Sequence, residues 1–295
     1  MRHSPTRRPT SCLLLVIIVG AAMSGCAAGG ARVSTSPPAD PPRVDLVIQG
    51  AVDSEVTPLV QALSGATRIQ LASWTFWRGR LAGRDVVVSR TEVGPINAAA
   101  ATTLAILTFH PRLILNQGTA GATDPTLHVF DIVVGEATVD YGGFRTGHLN
   151  AGEGSNQANW TRMPHRLRFE GADERMTLPV FPGDPDAMAV ALAQPYSQGK
   201  VVKGVIGSAF QFNQEVDRLL WIRQKYDAVS EDMESAFAAG AALGFNTPFL
   251  AVRIVSDSDF YAPGIHPDAA GLCARFVLGL AAALPALPAR APLLQ

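Results

Sequence analysis

SEDMESAFAAGAALGFNTPFLAVRIVSDSD, residues 230–259, is the stretch from which the fold of this chain can be read. Three carboxylates, Glu231, Asp232 and Glu234, stand at the head of an Ala-rich segment that favours helix. Asn246, Thr247 and Pro248 interrupt that helix, and PFLAVRIVS then has the apolar, β-branched character of a buried strand. One charge, Arg253, sits in the middle of this strand, and Ser256 and Asp257 come at its end. An acidic helix start and an acidic strand end, joined through one short helix, are placed to face each other across a cleft. In open α/β sheets ligands bind at the carboxyl ends of strands.

The same alternation extends to both sides. RVDLVIQGA (43–51) reads as a buried first strand, and Asp53, Ser54 and Glu55 lead into a helix at VTPLVQAL. Residues 73–94 alternate and break at Gly79 and Gly83, which predicts a hairpin entering another buried strand. NAAAATTLAILTF (97–109) predicts a helix, and RLILNQ a strand running into a small-residue turn at Gly118, Thr119, Ala120 and Gly121. DIVVGEATVDY predicts a strand, whereas 142–183 is polar and reads as a long loop carrying one strand, RMTLPVF. Beyond it come a helix at DPDAMAVALAQ, a strand at KVVKGVIGSAF, an amphipathic helix at QEVDRLLWIRQKY and a last helix at PDAAGLCARFVLGLAAAL. Strands alternating with helices predict a single three-layer α/β/α domain with a mixed central sheet, spanning 43–285, before a Pro-rich tail at 286–295.

Composition narrows the function. The 295 residues are 47% hydrophobic and 17% charged, enough for one large core. A formal net charge of -1 gives no electrostatic footprint for a nucleic-acid partner. Three cysteines, at 12, 26 and 273, imply no disulfide framework, and Cys273 lies in an apolar helical run where it serves as packing. Arg2, Arg7 and Arg8 followed by CLLLVIIVGAAM form a signal sequence, its apolar run too short for a comfortable membrane span. Ser24, Gly25 and Cys26 resemble a bacterial lipoprotein box, which makes 1–26 the signal and lipobox and Cys26 the lipidated first residue of the mature chain. Residues 27–42, rich in Gly, Ala, Ser and Pro, form a tether. The expected protein is exported, on the periplasmic side of a bacterial membrane, and touches the membrane only through its lipid. The alternative is a plain cleaved signal and a soluble periplasmic or secreted protein.

Nucleotide-loop, Walker, zinc-protease and nucleophile-elbow patterns are missing from the sequence. Its histidines, at 3, 110, 128, 148, 165 and 266, have no ligand spacing, so neither a metal nor another cofactor is expected. The sequon at Asn159, Trp160 and Thr161 carries little weight behind a bacterial signal. What remains is acidic: Glu55 after the first strand, Asp232 and Glu234 at a helix start, and Asp257 at a strand end. Each alone would serve as a helix cap or a solvated charge. Set beside the small-residue turn at 118–121, they suggest one site.

Five stretches, in order, carry a family resemblance. GAVDSEV (50–56), NQGTAGATDPTLHVFDIVV (116–134), GSAFQFN (207–213), SEDMESAFA (230–238) and AVRIVSDSD (251–259) resemble the motifs of the methylthioadenosine/S-adenosylhomocysteine nucleosidases, of nucleoside phosphorylase-like fold. The resemblance spans residues 44 to 284 and implies an N-glycosidase acting on a purine nucleoside, with no cofactor. It also implies roles. Asp257 would protonate N7 of the leaving purine, steadied by Ser256. Glu234 would hold the ribose hydroxyls and stabilise the oxocarbenium charge. Glu55 would take a proton from the attacking water, with Arg253 positioning that water or orienting Glu234. Phe210 would stack on the base, Met233 would pack on the ribose, and Thr119 and Gly121 would line the pocket. Asp232 stands where the family has a glutamate beside the ribose site. Glu231 falls outside the motif, as a solvated charge. A homodimer is implied by resemblance alone.

Phosphorylases of this fold are implied to hold phosphate with arginines in the first-strand loop and before the glycine turn. Here the loop 50–55 has no arginine and two acids, and the second position is Asn116. Hydrolysis is therefore favoured over the alternatives, a phosphate-dependent phosphorylase and a non-catalytic nucleoside-binding or storage protein of the same fold. Gln211, the long segment from 142 to 169 and the FYAPGIHPD loop after Asp257 depart from the family pattern and leave the base and the 5′ substituent open.

Overall fold

The structure, a computed structural model, describes residues 43–287. The signal and lipobox at 1–26, Cys26 included, the tether at 27–42 and the tail beyond 287 lie outside the described residues. In chain order the elements begin with β1 (Leu46–Gly50), α1 (Asp53–Ala62), β2 (Ser64–Leu71), β3 (Trp74–Leu81), β4 (Arg84–Arg90), α2 (Pro95–Phe109), β5 (Leu113–Ala122) and β6 (Ile132–Asp140). Five short strands follow: β7 (Phe144–Arg145), β8 (Thr161–Arg162), β9 (His165–Arg168), β10 (Arg175–Leu178) and β11 (Phe181–Pro182). The chain then continues through α3 (Pro185–Leu192), β12 (Val201–Ser208), α4 (Val216–Tyr226), β13 (Ala228–Asp232), α5 (Ser235–Gly244), β14 (Phe249–Asp257) and α6 (Ala269–Ala283).

Ten strands form one mixed sheet in the order β11-β6-β12-β13-β5-β1-β4-β3-β2, with β14 paired to both β5 and β6. Because β13 also pairs β5, the strands β5, β14, β6, β12 and β13 close into a ring. The period-2 rule sorts the buried strands into two faces. Leu46, Ile48, Leu113, Leu115, Leu250, Val252 and Ile254 meet one core, which takes Val56 and Leu59 of α1 and Cys273, Val277 and Leu280 of α6. Val47, Ile114, Ala251 and Val255 meet the other, with Ala98, Ala105 and Phe109 of α2 and Ala236 and Ala239 of α5. Those alanines let α2 and α5 lie side by side over the sheet. The mixed-sheet α/β architecture expected for 43–285 is therefore the one observed.

Three local readings need correction. The segment 118–121 is not a turn: β5 runs unbroken to Ala122, its small residues lying within the strand. Glu231 and Asp232 do not open a helix but end β13, and the helix starts one step later, with Glu234 at the N-cap of α5. The region 142–183 is less of a loop than expected, since β7 pairs β8 and β9 pairs β10 in two small antiparallel ribbons. The hairpin at 73–94 is present as β3 and β4, but β2 beside it was not expected. Its sequence, SGATRIQL, is mostly exposed and lacks a buried stripe to betray it.

Candidate active site

Four strand ends converge on one cavity of about 520 Å³. β1 leads to Glu55 on α1, β5 supplies Thr119, Ala120 and Gly121, β13 delivers Glu231 and Asp232, and β14 delivers Ser256 and Asp257. Met233 and Glu234, between β13 and α5, complete the wall. The acidic residues chosen from the sequence are thus neighbours, although 202 positions separate Glu55 from Asp257 along the chain.

Glu55 is buried and held from both sides. Its Oε2 accepts from the backbone N–H of Ala51 at 2.7 Å and of Val52 at 3.4 Å, which caps α1. Its Oε1 accepts from the backbone N–H of Thr119 at 2.9 Å and from the Thr119 hydroxyl at 3.3 Å. The close approach requires glycine at 118, where a Cβ would stand 2.6 Å from Glu55 Oε1. Thr119 therefore lines the cavity and also orients the carboxylate.

Glu234 accepts at Oε1 from the backbone N–H of Gly94, at 2.8 Å. Gly94 has φ of 97°, a conformation that favours glycine. Burial, then the negative charge of Asp232, pushes the Glu234 carboxyl up to about 7, against the lowering influence of Arg253 and the Gly94 N–H. Asp257 is also raised, chiefly by burial, while the Ser256 hydroxyl donating to its Oδ1 at 2.6 Å pulls the other way. A carboxyl that keeps its proton more readily than usual is suited to donate it.

Asp232 is engaged differently. Its Oδ1 accepts from the Ser208 hydroxyl at 2.5 Å and from the backbone N–H groups of Glu234 and Ser235, both at 3.1 Å. Its Oδ2 accepts from the Ser235 hydroxyl and, at 2.7 Å, from Arg253 Nε. Asp232 borders the cavity with both oxygens engaged by five donors, which hold it in place. Arg253 is 2% exposed and does not border the cavity. Its remaining N–H groups donate to the Asn116 carbonyl at 3.2 Å and to Asn116 Oδ1 at 2.6 Å. Among the described residues it makes no hydrogen bond to Glu234. Arg253 fixes Asp232, which in turn accepts from the Glu234 backbone N–H, so the structure links Arg253 to Glu234 through Asp232 and through its charge. Asn116 in turn donates to Gln49, which donates to Thr102, a buried chain no sequence pattern announced.

Two further expectations change. Phe210 is 71% exposed and does not border the cavity; its ring lies against Gly94. Phe212, two residues on, borders it together with Gln211 and Asn213. Residues 209–215 form no regular element whose periodicity could assign a direction to either aromatic. Glu231 is not a solvated charge. It is buried, borders the cavity and accepts at Oε2 from the Tyr141 hydroxyl at 2.7 Å and from Asn213 Nδ2 at 2.6 Å. Its place in β13, one residue before Asp232, was the available signal. The loop after β14 contributes Ile265 and His266, which the sequence did not single out.

Known proteins share this fold. The sequence profile of the phosphorylase superfamily matches residues 45–271. A 5′-methylthioadenosine/S-adenosylhomocysteine nucleosidase of Marinomonas sp. (strain MWYL1) is 31% identical over 213 residues, covering 70% of this chain and 83% of its own. The structure of such a nucleosidase from Colwellia psychrerythraea 34H, in complex with adenine, superposes with a TM-score of 0.65 at 26% identity, over 82% of this chain and 96% of that one. The Neisseria meningitidis nucleosidase in complex with methylthio-immucillin-A gives a TM-score of 0.65 at 22% identity, over 81% and 99%, a likeness of fold.

Proposed function

The chain belongs to the phosphorylase superfamily, and from that premise we propose that it hydrolyses the N-glycosidic bond of a purine nucleoside, releasing free base and ribose moiety. The observation that carries this reading is that three of the five carboxyls around one cavity, Asp257, Glu234 and Glu55, are each held differently. Asp257, with its raised pKa, gives its proton to N7 of the purine, so the base leaves neutral as the bond from C1′ to N9 breaks. Glu234 accepts from the ribose 2′- and 3′-hydroxyls and faces the positive charge growing on the sugar, which favours its ionised form. Glu55, its carboxylate aimed by Ala51 and Thr119, takes a proton from the water that adds to C1′. Met233 packs on the ribose.

Substrates of the methylthioadenosine and S-adenosylhomocysteine type are favoured by the relatives' activity. The loop 50–55, acidic and without arginine, supports water over phosphate as the nucleophile. Exposed apolar residues at the cavity mouth, Val93, Phe212 and Ile265, support a homodimer. The N-terminal sequence supports export and a lipid anchor on Cys26, with 27–42 as tether.

The test is base release by purified protein from methylthioadenosine, S-adenosylhomocysteine, adenosine and inosine, with and without phosphate. Free base without phosphate is expected. Strict phosphate dependence would overturn hydrolysis, and no release from any nucleoside would indicate a binding protein.

A further inference from the structure

One carboxyl on the cavity wall has no part in the reaction above. Glu231 and Asp257 come from different strands but occupy one rung of the sheet. Glu231 pairs with Gly121 across β13 and β5, and Asp257 pairs with Gly121 across β14 and β5. The central residue of this rung has no side chain. A Cβ on Gly121 would stand 3.2 Å from Asp257 Oδ2 and 3.7 Å from Glu231 Cγ, so both acidic side chains flank the same empty position on the same side of the sheet.

Glu231 is fixed there. Tyr141, fully buried, and Asn213 both donate to its Oε2. A carboxyl in so desolvated a place is costly unless it is hydrogen-bonded, as it is by these two donors, and burial still pushes it up to about 7, with Asp257 adding to the effect. Further along the same wall is Gln211. Its Oε1 accepts from Arg218 Nη2 at 3.0 Å, so the amide oxygen is engaged and the NH₂ remains as a donor. The cavity is thus bordered by Asp257, by an acceptor at Glu231 on the same rung, and by Gln211, whose NH₂ is a donor.

A purine read from N7 round its six-membered ring presents N7, the substituent at C6, and N1. We propose that Glu231 selects the base, accepting from the 6-amino group of a 6-aminopurine whose N7 faces Asp257, while Gln211 donates to N1. A 6-oxopurine would set its carbonyl oxygen against the Glu231 carboxylate and its N1–H against the Gln211 donor. Both contacts would be mismatched, and a site built for a hydrogen-bonding group rejects an analogue that cannot satisfy it. The proposal rests on the reading of Asp257 as the N7 acid.

The experiment compares adenosine, inosine and purine riboside, which lacks any 6-substituent, on the unaltered protein and on Glu231→Gln. In the unaltered protein kcat/KM for adenosine exceeds that for the other two, and the substitution shrinks each ratio at least tenfold. Ratios that stay constant, even if all three rates fall together, would make Glu231 a structural residue and overturn the proposal. Calorimetric binding of adenine and hypoxanthine to the unaltered protein gives a readout independent of turnover and of the variant's folding. At least tenfold tighter adenine binding is expected, and equal binding would overturn base selection. A protein that prefers adenine but cleaves nothing would keep base selection and remove the hydrolase reading. One that cleaves adenosine and inosine equally would do the reverse.

Discussion

Two aspartates at the cavity wall show how surroundings divide labour between identical side chains. Asp232 takes five hydrogen bonds, one of them from the Arg253 guanidinium, and both groups are almost wholly withdrawn from water. Asp257 takes one, from Ser256, and is raised by burial. The first is held still by its donors, and the second is placed to exchange a proton. Asp257→Asn should therefore lower kcat by about 10²–10⁴-fold, the usual worth of a general acid, while thermal unfolding stays close to that of the parent. Undiminished turnover would remove Asp257 from the chemistry. Arg253→Met should act the other way round. It leaves the Asp232 charge buried without its partner, a loss of about 3–5 kcal/mol, measurable by urea unfolding before any assay of activity. Both residues stood out in the sequence as charges in or at the end of an apolar run. Which of them meets the cavity did not, because that depends on what the neighbouring strands place opposite.

At the scale of elements, the site depends on backbones coming close. The N-terminus of α1 and strand β5 share Glu55 as a clamp, and the clamp closes because residue 118 has no side chain. Gly118→Ala would put a methyl 2.6 Å from Glu55 Oε1. The carboxylate must then leave Thr119, so kcat/KM should drop at least tenfold, with a stability loss of about 1–3 kcal/mol for overpacking. Normal activity in this variant would mean that Glu55 needs no aim from β5. The small residues of 118–121 were recognisable as a place of close approach, yet they read as a turn. Gly and Ala weaken the local strand signal, and pairing with β13 and β14 keeps β5 extended to Ala122. Glu231 and Asp232 read as helix for the related reason that an Ala-rich helix begins three residues after Asp232.

For the molecule as a whole, the gathered carboxyls carry a cost that depends on pH. Glu231 and Glu234 are each pushed from an ordinary 4.5 to about 7, first of all by burial. The folded state therefore holds protons that the unfolded chain releases. This contribution to stability is complete below the unfolded value and is lost as pH rises through about 7. The melting temperature should fall between about pH 5 and about pH 8. Glu231→Gln should flatten that fall by on the order of 2 kcal/mol, and an unchanged slope would mean that Glu231 is ionised without penalty. What the sequence determined by itself is the layered α/β architecture, the ordering of its motifs and the choice of Glu55, Glu234 and Asp257 as candidates, all of which border one cavity. Periodicity and residue chemistry are local properties, written along the chain. What only the tertiary structure decided is direction: that Phe212 rather than Phe210 borders the cavity, that Arg253 serves Asp232, and that Glu231 faces inward beside Asp257. The last two follow from the register of β13, β5 and β14, which is fixed by pairing between strands distant in sequence, and the first from an irregular loop whose direction no periodicity encodes.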